Sequence, residues 1–304
     1  VSCMAEPLVE CVPNFSEGRR PEVIAAIRDA VAAVEGVRVL DTHADAAHNR
    51  FVLTYVVPES SAVASGLAAA RAAVQHIDLR THQGVHPRIG ALDVFPFVPL
   101  GDLPMARCVA LAGALGQVIA AELGIPVYLY EEAARRPDRA NLENIRKGGF
   151  EALRDVLPGA PERQPDLGPA AVHPTAGAVA VGARRPLIAF NVYLGSPDVD
   201  AAKAIARIVR HSSGGLRYVK ALGLEIPGTG STQVSMNLTN YRASSIVTVM
   251  DMIRAEAARR GVPVLRSEVV GLMPLDAVLD AARAFLQLRE FSPDQVLERR
   301  LWQG

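Results

Sequence analysis

Two histidines, His82 and His86, stand four residues apart in THQGVHPRIGALDVFPFVPL, residues 81–100, among residues that break a helix. An imidazole titrates near neutral pH, so such a pair in a loop feeding a rigid strand could pass a proton to and from a reacting group. Spacing of i, i+4 would also suit two metal ligands on one helix face. The residue before a proline, however, is pushed out of the α region, and here that residue is His86 itself, ahead of Pro87. Gly84 weakens a helix further. Two readings stay open: loop histidines without a role, or a general acid/base with Arg88 close by to hold an anionic substrate.

A second polar cluster is DTHADAAHNR, which offers Asp41, His43, Asp45, His48, Asn49 and Arg50. Mixed His and Asp at short spacing could bind a divalent metal or contact a substrate; equally, it could be a polar connection between two strands. PDLGPAAVHPTAG, residues 165–177, has small residues that leave the backbone approachable to a flat ligand, and its composition also fits a linker. GTGST, residues 228–232, lacks the lysine of a phosphate loop and reads as a hairpin turn. Asn14, after the first strand, and Asn191, within a later one, are single polar hints. No GxSxG elbow, HExxH or dinucleotide fingerprint occurs.

The elements that must hold these residues follow from periodicity. Residues 8–15 are β-like, 21–34 helical behind a leading proline, and 37–41 and 51–57 β-branched strands joined by a loop over 42–50. A helix over 60–77, a strand over 91–98, a helix over 104–123 stopped by Gly124, and a strand over 127–130 complete the first half. The proline-rich stretch 157–169 marks a break. Beyond it come a strand (187–194), a helix (199–209), two strands (216–224 and 233–238), a helix (245–260), a strand (262–270) and a closing helix (275–288). The first half reads β-α-β-β-α-β and then α-β, and the second reads β-α-β-β-α-β, the ferredoxin-like order. The expected fold is therefore α+β, with two ferredoxin-like subdomains over residues 1–183 and 184–304. Each antiparallel sheet has a bare face that needs a cover, so the two are expected to pack face to face around a cleft.

Bulk properties bound the function. The chain has 304 residues, 50% hydrophobic and 21% charged, with formal net charge +0. No basic block invites nucleic acid or an anionic membrane. Three cysteines, Cys3, Cys11 and Cys108, show no metal spacing and suit a reducing cytosol. No signal peptide and no membrane span is readable, which leads to a cytoplasmic expectation.

The segments LVECVPNFSEG, DTHADAAHNR, IDLRTHQGVHPRIGALDVFPFVP, ELGIPVYLYEEAA, PDLGP, GARRPLIAFNVYL and QVSMNLTN resemble the glutamate formimidoyltransferases, also called glutamate formiminotransferases, in their stand-alone bacterial form. The family also includes the transferase part of formimidoyltransferase-cyclodeaminase. The likeness spans about residues 7 to 290. It implies transfer of a formimino group from N-formimino-L-glutamate to tetrahydrofolate, giving 5-formiminotetrahydrofolate and L-glutamate. Formyl transfer from N-formylglutamate and a non-catalytic folate-binding module are the alternatives.

The resemblance makes His86 the catalytic acid/base. It maps folate contacts onto Gly168, Pro169, Ala170, Ala171, Val172, His173, Pro174, Thr175, Ala176 and Gly177, and onto Ile208, Val209 and Arg210. Both substrates carry carboxylates, so Arg50, Arg88 and Arg210 become candidate anchors. Asn14, Asp41, His43, His48 and Asn191 complete the substrate candidates. Tetrahydrofolate serves as co-substrate, no metal is expected, and the family suggests a homodimer.

Overall fold

A proline cuts the first strand in two. The structure, a computed structural model, describes residues 6–46, 48–84, 87–157, 159–226 and 228–303. In it β1 (Leu8–Cys11) and β2 (Asn14–Phe15) lie in line between the same two neighbours, interrupted at Val12-Pro13. Pro13 has no N–H to give to the ladder, but its carbonyl still accepts from the Leu53 amide.

The chain divides into two compact units, Val1–Arg184 and Arg185–Gly304. In the first, β1 and β2 are followed by α1 (Pro21–Ala32), β3 (Arg38–Asp45), β4 (Arg50–Pro58), α2 (Ala62–His76), β5 (Leu92–Pro99), α3 (Met105–Leu123), β6 (Val127–Glu131), α4 (Leu142–Arg146), α5 (Gly149–Val156) and β7 (Val179–Ala183). The sheet runs β3, β4, the broken first strand, β5, β7, β6. From β3 to β5 every pairing is antiparallel, as expected. Beyond β5 the expectation of an antiparallel sheet fails: β7 joins β5, and β6 joins β7, in parallel.

That parallel end explains a second departure, a layer on the face thought bare. Parallel strands are normally buried on both sides. Against one face lie Ile27, Ala69, Cys108, Leu115 and Ile119 of α1, α2 and α3, meeting Phe51, Leu53, Phe95 and Phe97. On the other face Ile145, Leu153 and Leu157, from the α4–α5 segment, meet Val94, Tyr128, Tyr130 and Ala180. Among the described residues one helix, α3, is long and apolar enough in composition to cross a membrane. Here its Cys108, Ala112, Leu115 and Ile119 supply core contacts, and it ends at Gly124 with φ +63°, a left-handed cap that suits glycine.

The second unit holds β8 (Ile188–Leu194), α6 (Val199–Val209), β9 (Val219–Ile226), β10 (Ser231–Leu238), α7 (Ile246–Arg259), β11 (Val264–Val270), α8 (Leu275–Leu286) and α9 (Leu297–Gln303). Its four strands are all antiparallel, in the order β11, β8, β10, β9. Asp198 caps α6 by accepting the amides of Asp200 and Ala201, and Ser245 caps α7 through Thr248. The GTGST stretch lies at the β9–β10 turn, with Thr229 Oγ donating to the Ile226 carbonyl.

Candidate active site

The strand registers collect polar residues on the sheet face turned away from α1–α3. Successive residues of a strand point to opposite faces. Phe51, Leu53, Tyr55 and Val57 of β4 enter the helix-side core, so Arg50, Val52 and Thr54 point the other way. Val52 lies between His43 and Asn14, Thr54 opposite Asp41, and Arg50 opposite Asp45. Asn14, Asp41, His43 and Arg50 therefore share one face, and Arg50 Nη1 reaches Asn14 Oδ1 at 3.4 Å.

This corrects the reading of residues 42–50 as a loop. β3 continues to Asp45 and only residues 46–49 connect it to β4. A register shift between Val39 and Asp41 is what puts Asp41, His43 and Asp45 on the polar face. His48 sits in the connection and pairs with Asp45 at 2.5 Å.

The histidine loop is anchored on both sides of residues 85–86. His86, the catalytic candidate, lies outside the described residues. Upstream, His82 Nε2–H donates to the Asn49 carbonyl at 3.0 Å, and Asn49 Nδ2 donates to the Gln83 carbonyl at 2.9 Å. Burial pushes the His82 imidazole below its ordinary value, which favours its neutral form, and its Nδ1 has no hydrogen-bond partner among the described residues. Downstream, Arg88 donates to the His82 carbonyl at 2.9 Å and to Glu151 at 2.9 Å. The buried Asp93 accepts the Ile89 amide at 2.7 Å and pairs with Arg146 at 2.5 Å. Ser16 Oγ donates to the Gly90 carbonyl at 2.7 Å. Burial, and then the neighbouring Arg146 charge, lower the Arg50 guanidinium below its ordinary value, against the pull of Asp93 and Asp45.

The end of the glycine-containing segment 168–177 comes to the same place, while Gly168 lies against Ala120, Ile125 and Pro126. The Leu79 amide donates to Thr175, Ala91 to Ala176, and Ala178 to Ile89. His173 and Gly177 exchange backbone hydrogen bonds of 2.8 and 2.9 Å, closing a tight turn. His173 Nδ1 accepts the Ala176 amide at 3.0 Å inside that turn. Gly177 has φ +72°, and a Cβ there would strike the Ile89 carbonyl, so glycine alone fits. Gly168, Pro169, Ala170, Ala171 and Pro174 are exposed, whereas Ala176 and Gly177 are buried.

Residues 8–184 match the formiminotransferase domain, N-terminal subdomain, and residues 189–297 match the formiminotransferase domain. The chain belongs to the formiminotransferase family. A glutamate formimidoyltransferase of Thermoplasma acidophilum is 47% identical over 97% of both chains. One from Streptococcus pyogenes is 43% identical over 97% of this chain and 98% of its own. The formimidoyltransferase-cyclodeaminase of Rattus norvegicus is 45% identical over 90% of this chain, which spans 52% of that protein.

The remaining candidates of this formiminotransferase lie in the second unit. Ile208 and Val209 close α6, with Ile208 exposed and Val209 fully buried, so Val209 can offer a ligand only its backbone. Arg210 Nε donates to Ser213 Oγ at 2.7 Å. Asn191 sits on the face opposite the α6–α7 core and donates to Glu268 at 3.3 Å, which also accepts from Tyr193 at 2.8 Å. Among the described residues no group of three or more His, Cys, Asp or Glu could hold a metal ion.

Sequence reasoning passed over Asp93, Arg146 and Glu151, and offered Asn49 only as one member of the DTHADAAHNR cluster. Asn49 was visible as an Asn-Arg pair but carried no periodic signal. The other three act through contacts more than 50 residues away in the chain for Asp93–Arg146 and Arg88–Glu151.

The turn at His173 makes stability depend on pH. Burial lowers the His173 imidazole below its ordinary value. The folded state then resists the proton that the unfolded chain accepts near pH ~6.5, so stability is full above that pH and falls as pH drops toward the folded value. His173→Asn, which keeps an acceptor, is expected to lose less melting temperature than wild type between pH 7.5 and 5. Equal slopes for the two proteins would refute this role for His173.

Proposed function

We propose that this protein transfers the formimino group of N-formimino-L-glutamate to N5 of tetrahydrofolate, releasing L-glutamate. The observation that carries this reading is the identity of 47% along 97% of both chains with a relative named glutamate formimidoyltransferase. The polar face of Asn14, Asp41, His43 and Arg50, in the same unit as the 168–177 segment, supports it.

In this reading N5 attacks the formimino carbon, the N5–C bond forms, and a tetrahedral intermediate results. Collapse breaks the bond from that carbon to the glutamate nitrogen. N5 gives up one proton and the leaving nitrogen gains one, so a single imidazole can serve as base and then acid. His86 is assigned that shuttle. Arg50 and Arg210 are the carboxylate anchors, Asn14, Asp41, His43, His48 and Asn191 further substrate contacts, and 168–177 with Ile208–Arg210 the folate contacts. Arg88, already held by Glu151 and the His82 carbonyl, braces the loop as well as offering charge. Holding two substrates together supplies the rest of the acceleration.

We take each unit to be a ferredoxin-like subdomain and the working form to be a cytoplasmic homodimer. The strand order in the second unit supports the first point. The apolar stripe Leu275, Val278, Phe285 and Leu286, exposed along α8, supports the second. The functional test is an ultraviolet assay for folate product with formimino- and formylglutamate compared as donors. Product from the formimino donor at a rate far above that from the formyl donor is expected, and the reverse order would overturn the proposal.

A further inference from the structure

We propose that Asn49 is a positioning residue for the loop that carries His86, an inference that rests on reading His86 as the acid/base. Asn49 is buried and joins three segments of chain. Its Oδ1 accepts the Gly18 amide at 2.9 Å, its Nδ2 donates to the Gln83 carbonyl at 2.9 Å, and its own carbonyl accepts from His82 Nε2 at 3.0 Å. Two of those three bonds end on residues 82 and 83, just before Gly84-Val85-His86.

The surroundings are tight: the Gly18 amide is shared between Asn49 and Glu17 Oε1 at 3.0 Å. A Cβ on Gly84 would strike the His48 carbonyl, and one on Gly18 would strike the Asp45 carbonyl. The three backbones thus touch, and only a short side chain can bridge them. Asn49 also has φ +49°, a left-handed conformation that asparagine and glycine tolerate best. Aspartate would keep the acceptor for Gly18 but set a carboxylate oxygen against the Gln83 carbonyl. Glycine would keep the backbone and the bond from His82 but lose both side-chain bonds. The next residue, Arg50, begins β4 on the polar face, so the junction that fixes the loop also fixes the start of that face.

The test is steady-state kinetics, with both substrates varied, on wild type, Asn49→Asp, Asn49→Gly, His86→Ala and the double variant Asn49→Asp/His86→Ala. Asn49→Asp is expected to lower kcat roughly 10- to 100-fold, the scale of a misplaced catalytic group. KM for either substrate should move by no more than about twofold, the pattern of a lost transition-state interaction. In the double variant the aspartate should add no further loss to that of His86→Ala, because a residue acting only through His86 has nothing left to position. If Asn49→Asp does not fold, Asn49→Gly carries the same comparison. An inactive His86→Ala beside Asn49 variants with wild-type kcat overturns the positioning role alone, as do losses that multiply in the double variant. Full turnover by His86→Ala overturns the acid/base reading and this inference together.

Discussion

Replacing His86 by alanine is expected to cut turnover by about 10²–10⁴-fold while folate binding persists, since that is the usual worth of general acid/base help. The reaction asks for a group that takes a proton from N5 and returns one to the glutamate nitrogen. A carboxylate of ordinary pKa would be a weak acid donor at neutral pH, and an ammonium a poor base; an imidazole can do both. The other loop histidine, His82, is less suited, because its Nε2–H is engaged with the Asn49 carbonyl and burial disfavours its protonated form. Turnover of the variant with both substrates saturating, alongside a titration with a folate, makes the check. Binding without turnover supports the shuttle, and turnover at the wild-type rate rejects it.

Asp93→Ala should be the costliest of the stability changes near the site. Asp93 is 3% exposed and compensates Arg146, whose side chain is 15% exposed, while its other oxygen holds the Ile89 amide. Removing one member of such a pair leaves a charge with little solvent, at a cost of about 3–5 kcal/mol. Arg50 lies close enough for Arg146 to depress its guanidinium, so the loss of Asp93 also leaves two cations repelling each other. For a chain unit of this size the melting temperature should drop roughly 6–20 °C. Asp93→Asn keeps an acceptor for Ile89 and should lose less. A melt of Asp93→Ala within about 1 °C of wild type would show that the pair contributes nothing.

The second unit was legible because each of its elements announces itself. In β8 the alternation of Ile188, Phe190, Val192 and Leu194 with Ala189, Asn191 and Tyr193 separates the two faces. The 3.6-residue spacing of Ala202, Ile205, Ala206 and Val209, behind the Asp198 cap, marks α6. The end of the first unit was not legible. β7 is VAVGA, small and buried on both sides, with no alternation to mark it as a strand. It belongs to the sheet only because β5 and β6 lie beside it. β3 was cut short for the opposite reason, since its polar face looks like a loop until the register pairs it with β4. Within the site, the loop of His82 and Arg88 could be picked out by residue type. Asp93 could not, and Asn49 stood out only as one polar residue of its cluster, because their work is done against residues 18, 83 and 146.

The stitching of residues 79–91 to residues 175–178 has a kinetic consequence. The bonds Leu79–Thr175, Ala91–Ala176 and Ala178–Ile89 join positions 85 to 96 residues apart. Closing so long a loop slows the approach to the transition state, and on the ribosome neither half can meet the other until residues 175–178 have emerged. The loop that carries the histidines is therefore completed late, after β1–β5 could already have paired locally. A chain halted before residue 175 would hold most of a sheet without the clasp of its histidine loop.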